Sequence, residues 1–268
     1  MNYQKKFSEN SLPKTSWGKV ADWYDDLLKQ EGTYQKDLIL PNLLRLLDIK
    51  KNEIIFDIAC GQGFFAREFY REFLKKGVRV IGSDISKELI AIARKNSPKE
   101  IKFEAASADK LDFLAAGSVD KITIIMAIQN IENVSEVLKE CERVLKPAGK
   151  LLMVMSHPAF RVPKQSSWGY DEKNKIQYRR IDSYLSESKV KIQMHPGDKP
   201  SEYTISFHRP LQFYFKLFGK NNFCVSRLEE WNSNRKSQLG PRAAAEDKSR
   251  KEIPLFIFME AVKARNKM

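Results

Sequence analysis

Apolar residues follow two alternating patterns between residues 53 and 155. Compact apolar runs at 53–59, 78–84, 101–105, 119–127 and 149–155 predict buried strands. At 64–76, 86–95 and 133–145 the apolar residues recur every three or four positions, as on one face of a helix. Strands alternating with helices of this length predict an α/β fold with a parallel, doubly wound sheet. The punctuation agrees. Ser86 stands where an N-cap is expected, and Lys146-Pro147-Ala148-Gly149 closes the last of these helices with turn residues.

Outside this region the pattern is looser. Residues 1–15 are polar and predict a loosely ordered lead; 17–28 reads as an amphipathic helix, and 33–47 as a second one that Pro41 breaks or kinks. Both are expected to pack over the ligand edge of the sheet. After Ser156 the alternation stops for roughly fifty residues, longer than an ordinary connection. That piece carries Phe160, Trp168, Tyr170, Tyr178, Tyr184 and Tyr203, and the three histidines, His157, His195 and His208, fall in it or at its borders. Regular structure returns as a helix at 211–218 and strands at 223–228 and 254–262, with 232–251 read as a polar surface loop. The organisation expected is a helical cover (1–50), a core (51–155 and 207–268) and an inserted substrate cap (156–206).

The most informative segment is Asp57-Ile-Ala-Cys-Gly-Gln-Gly63, where the first strand hands over to the first helix of the sheet. Glycines at such a turn let the backbone approach a ligand, and the helix start offers unpaired N–H groups. Gly61-Gln-Gly63-Phe-Phe-Ala66 also fits a dinucleotide fingerprint. Asp57 argues against it: a carboxylate there repels a pyrophosphate and suits a cationic ligand. Asp84 ends the second strand, where an acid accepts hydrogen bonds from ribose hydroxyls. It supports an adenosine ligand without choosing between cofactors.

Charge and cysteine content narrow the classes. With 47 basic and 34 acidic residues the net charge is +13, which favours anionic partners, but the basic residues are spread rather than gathered into an arm. Cys60, Cys141 and Cys224 have neither disulfide nor zinc spacing, so reduced thiols and no metal are expected, with Cys60 as a small turn residue. No run of about 18 uncharged apolar residues is present, and Met1-Asn-Tyr-Gln-Lys-Lys6 lacks the apolar region of a secretory leader. No membrane span is expected, and the cytoplasm is the expected compartment.

With these segments in place, the chain resembles a class I S-adenosylmethionine-dependent methyltransferase, of the group similar to ubiquinone and menaquinone biosynthesis methyltransferases. Asp57–Gly63 matches the first motif with Ala59 in place of its first glycine, a mild departure if that position is not at positive φ. Ile81-Gly-Ser-Asp-Ile-Ser86 matches the ribose motif, and Ala106-Ser-Ala-Asp109 the adenine loop, with Ser107 where an aspartate is common. The resemblance implies a Rossmann-like, doubly wound, seven-stranded, mostly parallel sheet with helices on both faces and an antiparallel last strand. It implies S-adenosylmethionine as cofactor, with Asp57 and the backbone of Ala59, Cys60, Gly61 and Gly63 around its methionine part, and Asp84 and Ile85 at its ribose and adenine. Ser107, Ala108 and Asp109 flank the adenine, Met126 and Ala127 close the site after the fourth strand, and Tyr24 covers the cofactor.

Methyl transfer from a sulfonium needs positioning and desolvation more than acid or base, although a base helps when the acceptor loses a proton. His157, directly after the fifth strand, is the candidate base, and Gln129 the candidate contact near the methyl group. The aromatic insertion reads as a cap over an aromatic or apolar small-molecule acceptor. An RNA- or DNA-directed methyltransferase and a non-catalytic S-adenosylmethionine-binding protein are the alternatives.

Overall fold

A computed structural model of the chain describes residues 16–19, 26, 28, 30–194 and 202–264. Five strands run parallel through the first half: β1 (Ile54–Ile58), β2 (Arg79–Asp84), β3 (Lys102–Ala105), β4 (Val119–Ile125) and β5 (Leu145–Ser156). Four more form an insertion, β6 (Ser166–Asp171), β7 (Ile176–Ile181), β8 (Ser188–Gln193) and β9 (Tyr203–His208). The last two, β10 (Phe223–Trp231) and β11 (Phe256–Lys263), complete a seven-stranded sheet of order β10-β11-β5-β4-β1-β2-β3, with β11 antiparallel to both neighbours. This is the doubly wound, mostly parallel sheet expected.

Side chains alternate across the sheet, so each strand feeds two cores. On one face Ile55, Val80, Leu152, Val154 and Phe258 pack under helices α1 (Leu40–Leu46), α2 (Phe64–Phe73) and α3 (Lys87–Lys95). On the other, Phe56, Ile124, Leu151, Met153, Ile257 and Met259 pack under α4 (Val134–Val144) and α5 (Leu211–Lys220). The Ser86 hydroxyl accepts from Leu89 N at 3.2 Å and so caps α3 as the sequence predicts.

Four features depart from the expected pattern. The second N-terminal helix lies in the core of the sheet face, with Leu40, Leu43 and Leu46 buried; Pro41 falls in the first turn of α1, where its missing N–H costs nothing, after a π-helical turn at Gln35–Ile39. The insertion forms two antiparallel hairpins, β6–β7 and β8–β9, and β9 continues to His208. β5 starts at Leu145, ahead of the predicted turn, and the positive φ there (61°) falls on Ala148. The segment 232–251 holds a helix, α6 (Ala243–Glu252), which buries only Ser249 and therefore leaves no apolar stripe in the sequence. No helix among the described residues is long and apolar enough to cross a membrane.

Candidate cofactor and acceptor site

At the end of β1 the chain enters the left-handed region three times: Ala59 has φ 54°, Gly61 57° and Gly63 82°. A Cβ on Gly63 would lie 2.8 Å from the Phe103 ring, so glycine is required there by space as well as by conformation. Ala59 is at positive φ after all. Its methyl carries a cost of roughly 1 kcal/mol that the family's glycine avoids.

The two acids flank this turn. Asp57 is buried; Oδ1 accepts from Thr123 Oγ1 at 2.7 Å, and Oδ2 is buried with no hydrogen-bond partner. Burial, with a contribution from the nearby Asp84 charge, pushes its carboxyl up to about 7 against the Thr123 hydrogen bond. A buried carboxylate oxygen without a partner is costly, and a ligand cation placed against it supplies both charge and donors. Asp84 clasps the turn to β2: Oδ2 accepts from Gly61 N at 3.0 Å and Oδ1 from Ser86 N at 2.9 Å. Burial raises its pKa too, while these N–H groups pull it back. Its remaining lone pairs stay available to a ribose.

Cys60 fits its reading as a small turn residue. It is buried, its thiol is pushed up by burial and the two aspartates, and its sulfur sits where a Cβ on Gly82 would come within 2.9 Å. Ile85 is half-buried at the end of β2. In the loop after β3, the Ser107 hydroxyl donates to Asp109 Oδ1 at 2.5 Å, and Asn133 Nδ2 approaches Asp109 Oδ2 at 3.5 Å; Ala108 packs on the second core. Ala106 N bonds Asp84 O at 3.0 Å, so this loop is fastened beside the ribose acid. Tyr24 lies outside the described residues, as does His195.

A second turn at positive φ follows β4, at Met126 (55°), whose N–H donates to Val154 O at 2.7 Å. Left-handed backbone at non-glycine residues concentrates at functional sites. Ala127 and Ile128–Asn130 form one tight turn from there. Gln129 donates from Nε2 to Met126 O at 3.0 Å, which fixes its amide, and its Oε1 is buried without a partner.

Met126, Gln129 and Asn130 form one wall of a cavity of about 520 Å³ beneath the hairpins. Met155, Ser156, Arg161, Arg179, Phe207 and Tyr214 are among its other walls. His157 is not. Its ring is buried outside the lining, with Nε2 2.7 Å from Glu230 Oε1 and Nδ1 accepting from Ala159 N at 3.2 Å. The Nδ1 acceptor and Nε2 donor fix a neutral tautomer, and burial lowers its pKa. The geometry is that of a turn histidine tying β5 to β10, not of a base facing an acceptor. His208 lines the cavity, but its Nε2 bonds Tyr184 O at 2.7 Å.

The aromatic cap also differs from expectation. Trp168, Tyr178 and Tyr203 are exposed, and the cavity is lined instead by Arg179 of β7 and by Arg161 and Lys164 of the segment that leads into β6. These cations were missed. Arg179 was legible in principle: along β7 burial alternates, with Ile176, Tyr178 and Arg180 outward and Gln177, Arg179 and Ile181 inward. Arg161 has no comparable signal.

The sheet order, the glycine turn and its two acids form an α/β domain with a candidate ligand site at the ends of β1 and β2. Residues 56–153 match the methyltransferase domain family. Among relatives, the chain is 32% identical over 162 residues to the ubiquinone/menaquinone biosynthesis C-methyltransferase of Rickettsia bellii, covering 55% of this chain and 62% of that one. It is 34% identical over 152 residues to the demethylmenaquinone methyltransferase of Lactococcus lactis, covering 55% and 60%. The matched stretch thus spans about three fifths of these relatives. In fold it is similar to an S-adenosylmethionine-dependent methyltransferase from Mesorhizobium loti, with TM-score 0.65 at 22% identity, over 86% of this chain and all of that one.

Proposed function

We propose that the chain transfers a methyl group from S-adenosylmethionine to a small molecule held beneath the hairpins. The observation that carries this reading is the buried, unpartnered Oδ2 of Asp57 at a left-handed glycine turn. Bound there, S-adenosylmethionine supplies an electrophilic methyl group on a sulfonium. Asp57 takes the ligand's ammonium, Asp84 accepts from its ribose, and the loop Ser107–Asp109 borders its adenine. The strained turn at Met126 brings Gln129 into the acceptor cavity, where Oε1 accepts a hydrogen bond from an acceptor O–H or N–H and orients it toward the methyl carbon. His208 of the cavity wall is held by its Nε2 to Tyr184 O, and positioning is the contribution required of the protein in this reading.

A nucleic-acid acceptor is the second reading, favoured by the net charge of +13. A cavity of about 520 Å³ roofed by two hairpins favours the small molecule. The test is calorimetric binding of S-adenosylmethionine to the wild type and to Asp57→Asn, followed by mass-spectrometric detection of a methylated product in a small-molecule pool and in RNA. Absence of cofactor binding refutes the reading, and methylation of RNA alone replaces it with the second.

A further inference from the structure

The hairpin wall of the cavity is cationic. Arg161, Lys164, Arg179 and Arg209 line it, and none of the described lining residues is an aspartate or glutamate. Two of the arginines are committed elsewhere to different degrees. Arg209 donates to Ile131 O at 2.9 Å and Glu132 O at 2.7 Å and lies 4.0 Å from Glu187. Arg179 donates from Nε to Phe160 O at 2.9 Å and from Nη2 to Ser166 Oγ at 2.7 Å. Arg161 has no such partners. Its Nε is buried with no acceptor, and no carboxylate pairs with its guanidinium among the described residues.

Arg161 and Arg179 converge on one indole. Their Cζ atoms lie 5.5 Å and 5.2 Å from the Trp168 ring centroid. Two like charges are thus held together at the cavity wall; burial and the neighbouring Arg179 depress Arg161 to about 10. The planar fork of a guanidinium matches a carboxylate or phosphate, and a buried donor beside a second cation is unfavourable until such a group arrives.

We infer that the acceptor is a small organic anion whose carboxylate or phosphate is taken up by Arg161 and Arg179, held in place by Trp168. This rests on the methyltransferase reading and adds the substrate class to it. A neutral acceptor leaves the pair uncompensated and is disfavoured.

The test is calorimetric titration of the full chain, saturated with S-adenosylhomocysteine, with benzoate, phenyl phosphate and the neutral benzamide. At least one anion is expected to bind, about tenfold or more tighter than benzamide. Arg161→Gln is expected to weaken that anion about tenfold or more, and Arg161→Lys to recover part of the loss, keeping charge without the fork. Binding of benzoate alone identifies a carboxylate, and of phenyl phosphate alone a phosphate. Benzamide binding as tightly as the anions, an anion affinity unchanged in Arg161→Gln, or no binding of either anion overturns the inference. The Arg161 guanidinium makes no hydrogen bond within the described residues, so Arg161→Gln is expected to fold, and its S-adenosylhomocysteine affinity and Tm check this. Normal S-adenosylhomocysteine binding with no anion effect refutes the acceptor class alone. Failure of the wild type to bind S-adenosylhomocysteine refutes the underlying function.

Discussion

The Thr123 hydroxyl donates to one oxygen of Asp57 at 2.7 Å and leaves the other buried and unpaired. Thr123 sits directly across from Asp57 in the β1–β4 register, so the parallel pairing of two strands orients the carboxylate. The hydrogen bond favours the ionised form but does not offset burial, and the group titrates at about 7.

From this follows a pH dependence of cofactor binding. Below about pH 7 the unliganded protein holds Asp57 neutral, and a ligand ammonium binds best to the carboxylate. S-adenosylmethionine affinity should therefore weaken as pH falls through 7, approaching tenfold per unit, and level off above it. Stability of the unliganded fold runs the other way. Its folded pKa exceeds the unfolded one, so stability declines as pH rises from about 4 to about 7 and is flat beyond. In Asp57→Asn both dependences should shrink and binding should be weak throughout. Calorimetry from about pH 5.5 to about pH 8.5 decides it; an affinity in the wild type that is level across that range contradicts the assignment.

Ala59 offers a test on the stability side. At φ 54° its Cβ is strained, and glycine relieves that strain while adding freedom to the unfolded chain. The first effect is the larger, and Ala59→Gly should stabilise the fold by about 0.5–1 kcal/mol. Denaturant midpoints at constant m-value measure it, and a destabilised variant would show the strain to be absent.

Gly63 should behave in the opposite sense. Alanine there combines a φ of 82° with a Cβ 2.8 Å from the Phe103 ring, which is wedged between the glycine turn and β2. Gly63→Ala should cost about 2 kcal/mol or more and weaken S-adenosylhomocysteine binding, because the displaced turn carries the backbone donors of the site. Thermal unfolding with and without the ligand separates the two effects, and an unchanged Tm would sink the steric argument.

The sheet was legible because burial imposes its period locally: Ile54–Ile58 and Val119–Ile125 are apolar runs whatever surrounds them. The two acids were legible because each ends such a run. The cationic wall was not, since Arg161 and Arg179 are brought together by Arg179 bonding Phe160 O and by the hairpin returning Trp168 to within reach of both, relations that carry no sequence period. Helix α6 escaped for the converse reason: a helix rich in Ala, Glu and Lys that buries almost nothing looks like a loop to any reading based on amphipathicity.

Gln129 and His157 can be told apart by substitution. Gln129 lines the cavity and its Oε1 is buried and unpaired, whereas both nitrogens of His157 are engaged outside that lining. Gln129→Ala should lower kcat for methyl transfer about tenfold or more, through a lost acceptor contact, with S-adenosylmethionine affinity little changed. His157→Gln should cost about 1 kcal/mol of stability by loosening β5 from β10, and leave kcat and its pH profile near those of the wild type. Single-turnover rates across pH, measured on both variants, check the pair: loss of a basic limb in the His157 variant alone would restore the histidine as the base.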